Sequence, residues 1–202
     1  MASSTIALKN AAKPVFVVTG PSGAGKGTLI QLVLPRFPDL AATVSATTRA
    51  QRPGEQDGVD YHFLTRQDFD ARVDAGEFLE WVDYVGNRYG TLNSEIDRLR
   101  AAGKAPLLEL ETEGAMRVKR RDAHAITIFV TAPVEELERR LRTRATESSG
   151  AIGERIETAR RQLAQQDRFD FVVENDERDR SANALADIVA QELDRAATMA
   201  RR

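Results

Sequence analysis

The chain has 202 residues, the size of one large domain or of a core domain carrying inserts. It is 42% hydrophobic and 30% charged with the signs mixed, and its net charge of −2 speaks against a general binder of nucleic acid or anionic membrane. It has no cysteine, hence no disulfide or thiolate metal site, and no apolar run of membrane-spanning length. Arginine far outnumbers lysine, which reads as a genomic composition effect. Residues 1–13 have neither the basic start nor the apolar stretch of a signal peptide. They read as a flexible leader, and cytoplasmic residence is the default expectation.

The first element is a strand, Pro14-Val15-Phe16-Val17-Val18-Thr19, and a helix follows over Leu29–Leu34. Between them runs Gly20-Pro21-Ser22-Gly23-Ala24-Gly25-Lys26-Gly27-Thr28. A glycine-rich turn from strand to helix is the context of a phosphate-binding loop. Its glycines let backbone N–H groups converge on an anion, and the helix N-terminus adds a favourable dipole. Lys26 supplies a point charge for the outer phosphates, so a nucleoside triphosphate is the first ligand to consider. The loop departs from G-x-x-x-x-G-K-[ST] at Gly27, where the hydroxyl that helps to hold Mg²⁺ is expected. Thr28 follows directly, and a Gly-Lys-Gly-Thr ending also occurs in adenylate-kinase-like loops.

Strand-like stretches recur at Tyr61–Leu64, Phe78–Val85, Ala105–Leu110, Ala125–Thr131 and Phe169–Glu174. Helical patterns fill Thr65–Ala75, Ser94–Ala102, Glu113–Arg121, Val134–Arg144, Gly153–Gln166 and Ser181–Ala197. The alternation predicts an α/β fold. Residues 42–92 read differently, with short strands, glycines, aromatics and arginines, as an insert on a parallel core. Residues 143–153 read as a mobile arginine-bearing loop, placed as a lid would be.

The insert carries Ser45-Ala46-Thr47-Thr48-Arg49-Ala50-Gln51-Arg52-Pro53-Gly54-Glu55, then Asp57-Gly58-Val59-Asp60-Tyr61. Farther on come Glu77-Phe78-Leu79-Glu80-Trp81 and Gly86-Asn87-Arg88-Tyr89-Gly90-Thr91. With the loop at 20–28, these stretches resemble the guanylate kinases, which phosphorylate GMP with ATP. The resemblance covers roughly residues 14–195. It implies a P-loop kinase core with a parallel sheet flanked by helices, at 14–41, 92–142 and 159–197. A mixed GMP-binding insert spans 42–91, a mobile lid 143–158 and a flexible tail 198–202.

By the same resemblance, Arg49, Arg52, Tyr61 and Tyr89 bind the GMP phosphate. Guanidinium forks and phenolic hydroxyls suit a dianion. Glu80 is the guanine reader, because a carboxylate accepts from N1–H and the 2-amino group side by side. Adenine lacks that donor pair and would leave a buried Glu80 poorly satisfied. Ser45 and Thr91 match hydroxyl positions at the base. Thr91 stands where the family often has serine.

Phosphoryl transfer needs positioning and charge neutralisation more than covalent chemistry. Lys26 resembles the family's central lysine. Arg144, in Arg144-Ala145-Thr146-Glu147, matches the lid arginine, with Ala145 in place of a glycine. Arg155 matches a second arginine that reaches the transferring phosphate. Arg139, Arg140 and Arg142 read as a solvated helix face. Glu109 and Glu111 close a strand at the loop side, where Mg²⁺ travelling with ATP would need oxygen ligands. Glu111 stands where the family commonly has aspartate, close to GMP and the metal. Thr28, Glu109 and Glu111 are the candidates for its water shell, with no direct ligand assigned. Asn175 matches the family's adenine-side asparagine. His62 and His124 lack partner ligands for zinc.

The expected reaction is ATP + GMP giving ADP + GDP, with ATP, ADP, GMP and GDP as the ligands and neither nucleic acid nor membrane as partner. A non-catalytic phosphopeptide-binding module of the same family is disfavoured by Gly20, Gly25, Lys26, Arg144 and Arg155. A related kinase for a sugar phosphate is disfavoured by Ser45, Glu80 and Thr91, and an adenylate kinase by Glu80. The sequence specifies no oligomeric state.

Overall fold

The structure is a computed structural model that describes residues 13–84, 86–144 and 149–201. Among the described residues, nine strands and seven α-helices follow in chain order. The core sheet holds β1 (Phe16–Thr19), β2 (Leu40–Ala42), β7 (Ala105–Glu109), β8 (Ile126–Thr131) and β9 (Phe171–Glu174). Their order is β2-β7-β1-β8-β9, and every pairing is parallel.

The run Val15–Val18 is apolar at every position because β1 is central and covered on both faces. Phe16 and Val18 pack with Leu29, Val33, Leu137, Leu185 and Val189, from α1 (Lys26–Val33), α5 (Val134–Arg144) and α7 (Arg178–Ala200). Val15 and Val17 pack with Ile96, Ala115 and Val118, from α3 (Asn93–Ala101) and α4 (Thr112–Arg121). Alternate side chains of one strand thus feed two helical layers. A parallel sheet of this kind binds ligands beyond the carboxyl ends of its strands, where the connections diverge.

The second sheet is mixed, in the order β4-β3-β6-β5. It is built from β3 (Ala46–Thr47), β4 (His62–Phe63), β5 (Phe78–Tyr84) and β6 (Asn87–Leu92). β3 and β4 run parallel, whereas β6 runs antiparallel to β3 and β5. Its own core joins Ala46, Phe69, Phe78 and Leu92, with Phe69 stacked on Phe78 at 4.3 Å between ring centroids. Phe69 comes from α2 (Arg66–Asp74), whose first turn is capped by the Thr65 hydroxyl accepting from the Asp68 N–H at 3.1 Å. The insert leaves the core after β2 and returns through α3 to β7, the partner of β2.

Several element bounds differ from the sequence expectation. β2, β3 and β6 are additional strands, and none shows a long apolar run. Of the loop expected at 143–153, residues 143 and 144 belong to α5 and residues 149–153 to α6, which spans Ser149–Leu163. Residues 145–148, including Ala145, lie outside the described residues, as do residues 1–12 of the leader. The tail expected from 198 is helical through Ala200, since α7 continues that far. Among the described residues no helix is long and apolar enough to cross a membrane.

Candidate active site

The glycine-rich turn joins β1 to α1 as the sequence predicts. Gly25 is the N-cap of α1 at φ +86°, with no side-chain cap and no acidic residue in the first turn. The first N–H groups of α1 therefore have no intrahelical partner and no competing carboxylate, which is the condition for an anion site. A Cβ at Gly25 would lie 2.4 Å from Asn175 Nδ2, so the loop tolerates no side chain there. Lys26 folds back over the turn and donates from Nζ to the Gly20 carbonyl at 2.8 Å and the Pro21 carbonyl at 3.2 Å. Its charge sits on the axis of the loop.

A cavity of about 620 Å³ runs from this loop to the second sheet. Ser22, Gly23, Gly25, Lys26, Gly27 and Thr28 line one end, and Ser45, Tyr61, Glu80 and Tyr89 the other. Glu109 and Glu111 lie between. One cleft therefore brings together the glycine-rich loop, a pair of acids and the side chains of Tyr61, Glu80 and Tyr89.

Glu80 is the most constrained of these side chains, at 4% exposure. The Thr91 hydroxyl, itself buried, donates to Glu80 Oε1 at 3.0 Å. Burial pushes the Glu80 carboxyl up to about 7, against the pull of the Thr91 bonds and of Arg117 and Arg121. Arg49 is held by Glu55 through a forked pair at 3.1 and 2.8 Å, and its guanidinium lies 5.3 Å from the Tyr61 ring centroid. Glu55 holds the Arg49 guanidinium above its ordinary value, and the Tyr89 hydroxyl bonded to Arg49 adds to this. Tyr61 and Tyr89 meet edge to face at 6.1 Å. Burial pushes the Tyr61 phenol up, with Tyr89 adding and Arg49 opposing. Arg52 is exposed, and its N–H donates to Glu55 at 2.8 Å. Ser45 holds the edge of the pocket, its carbonyl accepting from the His62 N–H at 2.8 Å.

On the cleft floor, burial raises the Glu109 carboxyl, Lys26 opposes the rise and Glu111 adds to it. A Cβ at Gly27 would stand 3.3 Å from Glu109 Oε2, so the departure at Gly27 leaves room for this carboxylate beside the loop. Glu111 is the N-cap of α4, and its Oε2 accepts from Gln162 Nε2 of α6 at 3.0 Å. Among the described residues, no group of three or more His, Cys, Asp or Glu gathers into a metal cage. Two acids on the floor of a phosphate cleft fit a hard cation that arrives with nucleotide phosphates.

Three residues, two of them at the loop, have contacts that spacing alone does not reveal. Asn175 is buried behind the loop, and its amide donates to the Ala24 carbonyl at 2.7 Å. That bond makes it a brace of the loop, apart from any contact with adenine. Arg140 departs from the solvated face expected for it. Glu136 orients it at 2.7 Å, and it donates to the Gly23 carbonyl at 3.2 Å, while Arg139 and Arg142 pair with acids of their own helix. Gln162 links α6 to Glu111. Arg144 closes α5 with its side chain outside the described residues, and Arg155 is half-buried on α6.

The guanylate kinase family model matches residues 12–192. A guanylate kinase of Parasynechococcus marenigrum is 49% identical over 82% of this chain and 91% of its own length. One of Rubrobacter xylanophilus is 47% identical over 87% of this chain and 92% of its own. The crystal structure of guanylate kinase from Anaplasma phagocytophilum superposes with a TM-score of 0.71 at 26% identity, covering 91% of this chain and 87% of that one. The match spans the glycine-rich loop, both sheets and the helices between them, and the chain belongs to the guanylate kinase family.

Proposed function

We propose that this cleft transfers the γ-phosphoryl group of ATP to the phosphate of GMP, giving ADP and GDP. The carrying observation is the buried Glu80–Thr91 pair opposite a phosphate loop in one cavity. Guanine presents N1–H and its 2-amino group on one edge, and the Glu80 carboxylate accepts from both. Adenine leaves that buried carboxylate unsatisfied, at a cost of about 1–3 kcal/mol or more.

Arg49, Arg52, Tyr61 and Tyr89 take the GMP phosphate, with Arg49 exchanging its Glu55 partner for the incoming dianion. The loop residues Gly20–Thr28 cradle the ATP phosphates, and Asn175 holds the loop from behind. Lys26 leaves the Gly20 and Pro21 carbonyls for the β- and γ-phosphates and moves with the charge as it transfers. Arg144, the last residue of α5, and Arg155, on α6, both within the lid at 143–158, neutralise the transferring group. Glu109 and Glu111, with the Thr28 hydroxyl, would receive the waters of Mg²⁺. That ion, when bound with ATP, screens the phosphate charge. The GMP phosphate oxygen attacks, so no nucleophilic side chain is required. Closure of the insert at 42–91 and of the lid excludes water and limits ATP hydrolysis.

The test is ADP release from Mg-ATP with GMP, AMP, CMP, UMP or no acceptor. GMP-selective turnover is expected. Lys26→Ala should lower it by about 10²–10³ or more. Near-normal turnover in that variant would overturn the assigned mechanism. Selective turnover of another acceptor would overturn the guanine pocket and leave the ATP side standing.

A further inference from the structure

β5 is an edge strand of the acceptor sheet, and its pairing with β6 is irregular between Phe78 and Glu80. A bulge at an edge re-aims a side chain and leaves carbonyls without a sheet partner. Here the helix α4, which belongs to the core, meets that segment. Arg117 Nη1 donates to the Trp81 carbonyl. Arg121 Nη1 donates to the carbonyls of Phe78 at 2.7 Å and Leu79 at 2.6 Å. The main chain is held on both sides of Glu80. Farther up the same helix, a Cβ at Gly114 would stand 2.9 Å from Glu80 Oε2, so the helix backbone passes directly beneath the carboxylate.

We propose that Arg117 and Arg121 are positioning residues for base recognition, holding the bulged segment of β5 on the core helix so that Glu80 is set at one place in the cleft, with Gly114 providing its clearance. This inference rests on Glu80 being the guanine reader. Position matters because a carboxylate that accepts two parallel N–H groups loses both when it rotates. The two guanidinium groups also favour the ionised carboxylate, which is the form that accepts from guanine. The other charged or titratable groups facing this region are Arg120, which lines one hollow with Leu79, Glu80 and Trp81, Tyr89 on β6, Glu109 and Glu111 across the cleft, Glu113 paired with Arg117 at 2.7 Å, and Arg88 over the Trp81 ring at 4.9 Å. None of these bonds the Phe78–Trp81 carbonyls from the core. A helix that merely supported the sheet would affect stability and leave the acceptor constants alone.

The experiment compares Arg117→Met, Arg121→Met and the double variant in the full chain, with Gly114→Ala as a variant that removes no charge. Exposed Arg195, on α7 and paired with Glu192 of its own helix, provides the control Arg195→Met. KM and kcat for GMP are measured across roughly pH 6–9, together with KM for ATP and Tm. The double variant should raise KM for GMP about tenfold, leaving KM for ATP and kcat at saturating GMP within about twofold. The acid limb of kcat/KM for GMP should move to higher pH. Gly114→Ala should raise KM for GMP, and Arg195→Met should change nothing. An unchanged KM for GMP and an unchanged acid limb, with or without a fall in Tm, would overturn the proposal. Glu80→Gln is run in parallel. If it leaves the preference for GMP over AMP intact, the reading of Glu80 itself is wrong. If it destroys that preference while the arginine variants stay silent, only the clamp is wrong.

Discussion

Thr91 and Glu80 face each other across β6 and β5, and the Thr91 hydroxyl donates to Glu80 Oε1 at 3.0 Å. This is a buried hydrogen bond to a charged acceptor, worth about 1.5–3 kcal/mol. Thr91→Val keeps the shape and removes the donor. Its KM for GMP should rise by about 10–100-fold, the kinetic equivalent of that energy, while KM for ATP holds. Thr91→Ser should retain the wild-type constants. Steady-state kinetics with each substrate varied in turn will decide, and a wild-type KM in the valine variant would remove Thr91 from base recognition.

Guanine binding should be linked to a proton. In the free protein burial holds the Glu80 carboxyl at about 7, whereas two N–H donors on the base stabilise the carboxylate. Below that pH, Glu80 must lose its proton as GMP binds, so affinity should improve as pH rises through about 7. Calorimetry of GMP binding near neutral pH, in buffers of different ionisation heat, should report proton release. Release should vanish in Glu80→Gln. Identical heats in all buffers would contradict the linkage.

The same group sets a stability cost with a defined sign. Its folded value of about 7 exceeds the ordinary 4.5, so between these values the folded chain holds a proton that the unfolded chain has lost. Stability therefore falls as pH rises through this window, and above about 7 the full cost is present. Glu80→Gln should be stabilised relative to wild type by about 1–3 kcal/mol above the window and by much less below it. Thermal unfolding on both sides of the window will show whether the difference grows with pH.

Gly25 and Asn175 form an interlock. With φ at +86° and a Cβ position 2.4 Å from Asn175 Nδ2, Gly25→Ala combines backbone strain with a clash. The variant should lose about 1–3 kcal/mol and bind ATP more weakly. Asn175→Ala should also weaken ATP binding, because the Ala24 carbonyl loses its buried donor. In the double variant the clash is relieved and the strain stays, so the two costs should sum to less than their separate values. Strict additivity in a double-mutant cycle would deny the interlock.

The legible parts of this chain are those specified locally. The Pro14–Thr19 run, the glycines after it and Lys26 are contiguous, so the strand, loop and helix can be read without tertiary information. β6 is harder to read, because Asn87-Arg88-Tyr89-Gly90-Thr91-Leu92 has no clean alternation and owes its pairing to β5 and β3. Arg139, Arg140 and Arg142 look alike in sequence. Only the packing of α5 turns Arg140 toward Gly23 and leaves its neighbours to Glu136 and Glu138. Arg117, Arg121 and Gln162 are likewise ordinary helical polar residues until their long-range partners are known. The resemblance supplied Glu80 as a base reader. Its burial, its raised carboxyl and the helix beneath it required coordinates.

The acceptor sheet leaves the core after β2 and comes back through α3 to β7, and β2 and β7 are neighbours. Its two ends are thus rooted side by side, while the ATP loop grows from β1 on a separate connection. On the roles proposed above, choice of acceptor and chemistry on the donor are written largely in separable stretches of chain. An exchanged insert could recruit a different monophosphate with Lys26 and its loop untouched, provided that α4 still fits the new edge strand. The α4 face, whose Arg117 and Arg121 hold the β5 carbonyls, is the seam that a transplanted insert would have to match.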